Sequence, residues 1–270
     1  GDFEAQVTPA WGADILSLRW AGQDVLVPLN SEEQRDKNPF LHGSPLLLPA
    51  NRTVDGRFRF ENREYRLPIN EEFNHCHLHG ALFRQTFSVL QATQDTFVAE
   101  YVNRGEIFPF PFRMTVTYTV SAAGFRSEYA IENLSDGRMP LTFALHTTFC
   151  EPDYFRVPIG LCQERRADFV PTGNYLPLDA LQSSYHEGTY SAGKRVYGYY
   201  TAAGTTMTIS DFEYSVSENF DYRILYNADG AGGFLCAEPQ CGEVNGLNGK
   251  CKVLDSGETA KFFTVIRRKP

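Results

Sequence analysis

The sequence predicts an all-β protein, a sandwich or barrel of short antiparallel strands. Three observations carry that expectation. Apolar and polar residues alternate with period two in many short stretches, Gly, Asn and Asp recur between those stretches, and helical periodicity is nearly absent. Many short strands separated by turn residues are the pattern of a sandwich or barrel.

Taken in order, Ile15–Trp20 and residues 24–29, split by Ala21 and Gly22, predict a hairpin. Residues 31–37 fit a short turn of helix. Residues 58–60 and 65–67, separated by a polar turn, predict a second hairpin, and residues 87–90 and 97–102 two further strands. Residues 114–120 alternate without a break and lead through Ala122, Ala123 and Gly124 into residues 125–131, a third hairpin with one buried face. Residues 141–145, 207–209, 222–226, 233–237 and 262–266 complete the set. No internal repeat, low-complexity tract or shift of composition divides the chain, so residues 1–270 are expected to form one domain.

Composition bounds the function. Hydrophobic residues make up 42% and charged residues 21%, which suits a packed core rather than a disordered chain. Twenty-five basic against thirty-three acidic residues give a net charge of −8. That balance argues against nucleic acid and anionic membranes as partners, since both reward clustered Lys and Arg. No apolar run approaches the ~20 residues of a membrane helix, and no basic start followed by an apolar stretch marks a secretory signal. The six cysteines form no CxxC pair and read as reduced, packed thiols of a cytoplasmic protein.

Three segments stand apart from ordinary strand and turn. In the first, Pro45 to Ala50 stiffens the approach to Asn51 and Arg52, and an arginine held there can present a fixed fork of donors to paired hydroxyls. In the second, His75, His77 and His79 hold three of the six histidines at a spacing of two, which in extended backbone faces them to one side. Such a set suits metal ligation, or hydrogen bonding and proton transfer to a substrate. In the third, Glu238 ends an apolar run and is followed by Pro239. Partial burial there would raise its pKa above ~4.3 and improve it as a base near neutral pH. Glu243, in a Gly- and Asn-rich loop, fits a solvated glutamate better. His146 closes the apolar stretch 141–145.

In this order, Asn51-Arg52, Gly56-Arg57-Phe58, Tyr65 through Asn70, His79-Gly80, His146 and Glu238-Pro239 resemble the aldose 1-epimerase (galactose mutarotase) family, over roughly residues 40 to 248. The resemblance implies a large antiparallel β-sandwich of the galactose mutarotase-like supersandwich kind, with a sugar cleft and no cofactor. It implies His146 as the acid that protonates the ring oxygen and Glu238 as the base that takes the anomeric proton. It places Arg52 and His79 on the sugar, with Asn51 and His77 as further sugar-binding candidates. The chemistry is self-consistent, because opening a hemiacetal needs one proton to leave O1 while another arrives at O5. It needs neither a metal nor a covalent intermediate, and no GxSxG elbow is present.

The chain also departs from the family pattern. Thr147, Thr148, Phe149 and Cys150 stand where an aromatic and Asn-Leu usually follow the second histidine, and Phe83 and Phe87 replace a tryptophan. The family's sugar-binding aspartate has three candidates, Asp179, Asp211 and Asp221. The rival readings are a cupin-like metalloprotein built on the three histidines, a non-catalytic sugar-binding module, and a mutarotase for phosphorylated hexoses. The first lacks a following acid, since residues 80 to 94 contain no Asp or Glu. The last would draw on Arg52, Arg57, Arg59, Arg63, Arg66 and Arg84.

Overall fold

Two eight-stranded antiparallel sheets account for most of the strands in the computed structural model, which describes residues 2–191 and 193–269. The outer sheet runs in the order Phe155–Arg156, Thr206–Ile209, Phe212–Val216, Thr259–Arg268, Gly124–Asn133, Phe112–Ser121, Thr96–Asn103 and Ser88–Ala92. The second, here the site sheet, runs Pro171–Leu176, Ile159–Arg165, Tyr197–Ala202, Tyr222–Tyr226, Phe234–Cys241, Phe143–Leu145 and Leu46–Leu47, and Thr148–Cys150 also pairs with Phe234–Cys241.

Alternation explains how the sheets meet. Along Phe112–Ser121 every second residue from Phe112 to Tyr118 is buried, and these side chains join one continuous apolar core. Rings cross between the sheets: Tyr129 and Phe262 of the outer sheet lie 5.6 and 5.2 Å from Phe143 of the site sheet, centroid to centroid. Tyr214 packs against Phe149 at 5.3 Å while its hydroxyl bonds Thr147 Oγ1 at 2.9 Å, so its polar tip is satisfied.

On the site sheet the same alternation sorts two faces. Leu235, Ala237 and Cys241 belong to the core, as do Tyr200 and Leu225. Their neighbours Cys236, Glu238, Tyr199 and Ile224 therefore point to the other side, away from the outer sheet. Register sets them in rows across three strands: Tyr199, Ile224 and Glu238 form one, and Tyr197, Tyr226 and Cys236 the next.

The strand pairs 112–121 with 124–133 and 57–60 with 63–66 form the expected hairpins. The second turns at Glu61 and Asn62, both with positive φ (47° and 65°), as a two-residue primed turn demands. The first hairpin is shorter than expected. Only Gln23–Asp24 pairs as a strand with Ile15–Trp20; beyond it Val25 and Leu29 N–H still donate to Leu18 O and Leu16 O, both at 2.8 Å, while Val27 N–H between them donates to Thr148 O of the site sheet at 3.0 Å. The stretch 141–145 breaks at Thr142, whose carbonyl and hydroxyl both accept from Ala50 N–H. The strand expected to stop at residue 237 continues to Cys241. The short helix spans Glu32–Lys37 and is capped by Ser31. A second helix, Ala180–Glu187, was not expected; Asp179 and Gln182 form its capping box. No described helix is long and apolar enough to cross a membrane. All six cysteines are free.

Candidate active site

Pairing along the strand Phe234–Cys241 creates the site. On one side, Thr148–Cys150 pairs with Phe234 to Cys236, and Phe143 and Ala144 pair with Gln240 and Cys241. Between those pairings the register is kept: Thr147 O accepts from Ala237 N–H at 3.0 Å, His146 stands opposite Glu238, and the ladder is interrupted only where Leu145 faces Pro239. Pro239 has no N–H to give, so an interruption at that point suits it. As direct cross-strand neighbours His146 and Glu238 share a face: Nε2 lies 3.6 Å from Oε1, just beyond hydrogen-bond length.

A second segment brings His79. Leu48 and Gly80 form a parallel bridge, and a Cβ at Gly80 would stand 1.9 Å from Leu48 O, so no larger residue fits there. Asn51 and His79 both adopt left-handed backbone (φ 56° and 63°), and His79 N–H donates to Asn51 O at 2.8 Å. Phe40 covers the pair of imidazoles, its ring 4.6 Å from that of His79 and 5.6 Å from that of His146.

These groups line a cavity of about 310 Å³ together with Asn51, Arg52, Phe169, Tyr197, Tyr199 and Tyr226. Its size and its mixture of aromatic walls and few polar groups suit a small polar ligand.

Burial sets the electrostatics. Glu238 is 2% exposed, and desolvation pushes its carboxyl up to about 8, against the pull of the Arg52 charge. Desolvation lowers His146 to about 4 and, with the Arg52 charge acting in the same direction, holds His79 well below the ordinary histidine value. The imidazole of His146 is therefore neutral at pH 7 and the proton rests on Glu238. That is the reverse of the ionisation expected from the free pKa values, because two buried neutral groups cost less than two buried charges.

Arg52 differs from the expectation too. Its Nε and Nη2 bond Glu71 at 2.8 and 2.6 Å in a bidentate pair, and Nη1 bonds Tyr199 Oη at 3.0 Å. Burial opposes its charge, but the Glu71 bonds outweigh that and hold its pKa above the usual value. The fork is thus spent on Glu71, and the two remaining N–H groups are what Arg52 can offer the cavity. Phe169 stacks on the guanidinium at 5.0 Å.

The other sequence candidates fall elsewhere. His77 is buried with Nδ1 against Pro68 O at 2.7 Å and is not among the cavity-lining residues. His75 is exposed and pairs with Asp55. The three histidines do not share a face, because positive φ at His75 and His79 breaks the extended run on either side of the strand Cys76–Leu78. None of the three candidate aspartates lines the cavity: Asp179 caps a helix, Asp211 pairs with Arg268, and Asp221 accepts from Gly242 N–H. Arg57, Arg59, Arg63, Arg66 and Arg84 also lie outside the lining. Glu243 is no free loop carboxylate; it accepts from the Tyr175 hydroxyl and, at 2.8 Å, from Lys250 N–H. Sequence reasoning passed over Glu71, Tyr199 and Phe40, whose parts depend on long-range contacts.

Comparison with known proteins adds to this geometry. The family model described as aldose 1-epimerase matches residues 2–175, more than half of the chain. Over 150 residues the chain is 29% identical to the uncharacterized protein YihR of Escherichia coli K12, a match that takes in 54% of this chain and 47% of that protein. It thus spans about half the length of that curated relative. Among solved structures, a galactose mutarotase-like protein from Clostridium acetobutylicum superposes with a TM-score of 0.89 at 22% identity, covering 98% of this chain and 92% of that one. Galactose 1-epimerase from Lactobacillus acidophilus does so with a TM-score of 0.78 at 15% identity, covering 100% and 92%. At these identities the likeness is one of fold.

Proposed function

Because the chain belongs to the aldose 1-epimerase family, we propose that it interconverts the α and β anomers of an aldose, opening and reclosing the ring in the cavity that holds Glu238 and His146. One observation carries the reading: a buried carboxyl and imidazole, 3.6 Å apart and facing one cavity, that together hold a single proton near neutral pH.

Ring opening moves one proton off O1 and another onto O5. Both oxygens are bonded to C1, so the base and the acid must stand side by side, as Glu238 and His146 do. The O1 hydroxyl, donating to Glu238, favours the carboxylate, and the Arg52 charge acts in the same direction. The shared proton then passes to His146, which faces O5. Glu238 takes the O1 proton as His146 delivers its own to O5, and the C1–O5 bond opens to the aldehyde. Rotation about C1–C2 and the reverse transfers close the ring on either face. Neutral His79 and the free N–H groups of Arg52 hold hydroxyls, and Phe40 and Tyr199 keep water from the pair. Asn51 positions Arg52, its side-chain oxygen accepting Arg52 N–H at 3.1 Å.

The test is polarimetry of freshly dissolved α-galactose and α-glucose in a weakly catalytic buffer. A faster approach to the same final rotation supports the reading, and the sugar preference begins to define the substrate. An unchanged rate across a panel of aldoses, with binding of one of them retained, would move the assignment to a sugar-binding module.

A further inference from the structure

The thiol of Cys236 has no part in ring opening, yet it lies against the groups that do. Cys236 and Glu238, two apart on one strand, point to the same face, and the register of the neighbouring strand sets His146 opposite Glu238 on that face. One ligand atom from each of His146, Cys236 and Glu238 falls within 4.8 Å of the others, and all three residues are buried. We propose that these three side chains form a site for a thiophilic divalent cation of the Zn²⁺ class, whose binding blocks the acid–base pair.

The geometry is near what such an ion requires. Bonds of about 2.0–2.3 Å in a tetrahedral shell set neighbouring ligand atoms about 3.3–3.6 Å apart. The His146–Glu238 separation is already 3.6 Å, so the thiol, within 4.8 Å of both, has to close in by at most about 1.2–1.5 Å to complete that shell. Three protein ligands leave a fourth position, and His146 and Glu238 direct it toward the cavity, from which the ion enters.

The chemistry selects the ion. A thiolate favours Zn²⁺ or Cd²⁺ over Mg²⁺ and Ca²⁺. A thiolate and a carboxylate together offset a dication, so the loaded site is electroneutral, as its burial requires. The unloaded ligands are weakly engaged by the protein. His146 Nε2 meets Glu238 only at 3.6 Å, its Nδ1 is buried without a partner, and the Cys236 sulfur has a hydroxyl as its partner, Thr148 Oγ1 at 3.5 Å. Metal binding here is independent of the mutarotase reading; only its inhibitory consequence rests on it.

The experiment is a titration of reduced, chelator-treated protein with Cd²⁺, followed by the ultraviolet thiolate-to-cadmium absorption and by calorimetry, alongside Cys236→Ser. The expected result is one tight equivalent in the wild type, with the absorption band lost and affinity at least tenfold lower in the variant. A band of wild-type amplitude in Cys236→Ser would assign the ion to another cysteine and overturn the proposal, as would the lack of any stoichiometric binding. Should Cys236→Ser fail to fold, Glu238→Gln must weaken the same binding by at least tenfold. On any sugar the wild type turns over, Zn²⁺ should inhibit reversibly, with recovery in EDTA, and Cys236→Ser should keep its rate in Zn²⁺. Retained binding without inhibition would overturn the assignment of Glu238 and His146 as the acid–base pair rather than the metal site.

Discussion

His146 Nε2 and Glu238 Oε1 face each other at 3.6 Å as cross-strand neighbours, with one proton between them over a broad range of pH. The pair titrates as a unit, gaining a second proton near pH 4 and losing its only one near pH 8. Below the lower limit no base remains, and above the upper one no proton is left for O5. kcat/KM for mutarotation should therefore be level between about pH 4 and about 8 and fall on both sides. Initial rates by polarimetry across that range, corrected for buffer catalysis, check it. A steady rise through pH 8 would show that ionised Glu238 alone limits the rate.

Glu238→Gln should lower the rate on the order of 10²-fold, as loss of a general base does. The same change should stabilise the fold at alkaline pH. Glu238 titrates near 8 in the folded protein, above its unfolded value, so the wild type loses stability as pH climbs through that interval. Glutamine does not titrate. Melting temperatures of the two proteins should converge in acid and separate as pH rises toward 8.

The bidentate Arg52–Glu71 pair predicts a binding effect without a chemical one. Glu71→Ala should release the guanidinium and raise KM about tenfold, or about 1.4 kcal/mol, with kcat within a few-fold. Arg52→Lys should behave in the same direction, since a lysine cannot hold Glu71 through two bonds and Tyr199 through a third. Steady-state kinetics separate the two parameters.

Arg223 should matter for stability alone. It is fully buried, and its guanidinium donates to the carbonyls of Phe220, Tyr222 and Gly204 at 2.6, 2.8 and 2.8 Å. Arg223→Ala strips two buried carbonyls and a part-buried one of donors and leaves a void, a loss of about 3–5 kcal/mol. Urea unfolding measures it.

Glu243→Gln should leave the rate unchanged but weaken the loop that Glu243 ties to Tyr175 and Lys250, by about 1–2 kcal/mol. Equal melting temperatures for variant and wild type would remove that structural role.

The strands were legible because period-two burial follows from pleated backbone, as the run from Phe112 to Tyr118 illustrates. Helix 180–187 was legible in principle: Asp179 and Gln182 are three apart, the spacing of a capping box, but weak apolar periodicity hid it. His146 and Glu238 could be picked out because each ends a short apolar stretch. Glu71 could not, since its tie to Arg52 spans nineteen residues and depends on a chain reversal that sequence does not display. His77 was misplaced for a related reason: alternation counts faces correctly only while φ stays negative, and His75 and His79 depart from that.

The interrupted ladder around His146 and Thr147, which keeps its register on both sides, also bears on how this chain can be altered. The same strand holds Phe143 and Ala144 on one side of the interruption and Thr148 to Cys150 on the other. Adding or deleting one residue between them would slip one partner by a single step and turn its inward side chains outward. Substitutions within those two positions leave the ladder standing, whereas any change of length does not. Engineers seeking room for a larger sugar should therefore recut the loop carrying Phe40, which is bound by no such register, and keep the count between Leu145 and Thr148 fixed.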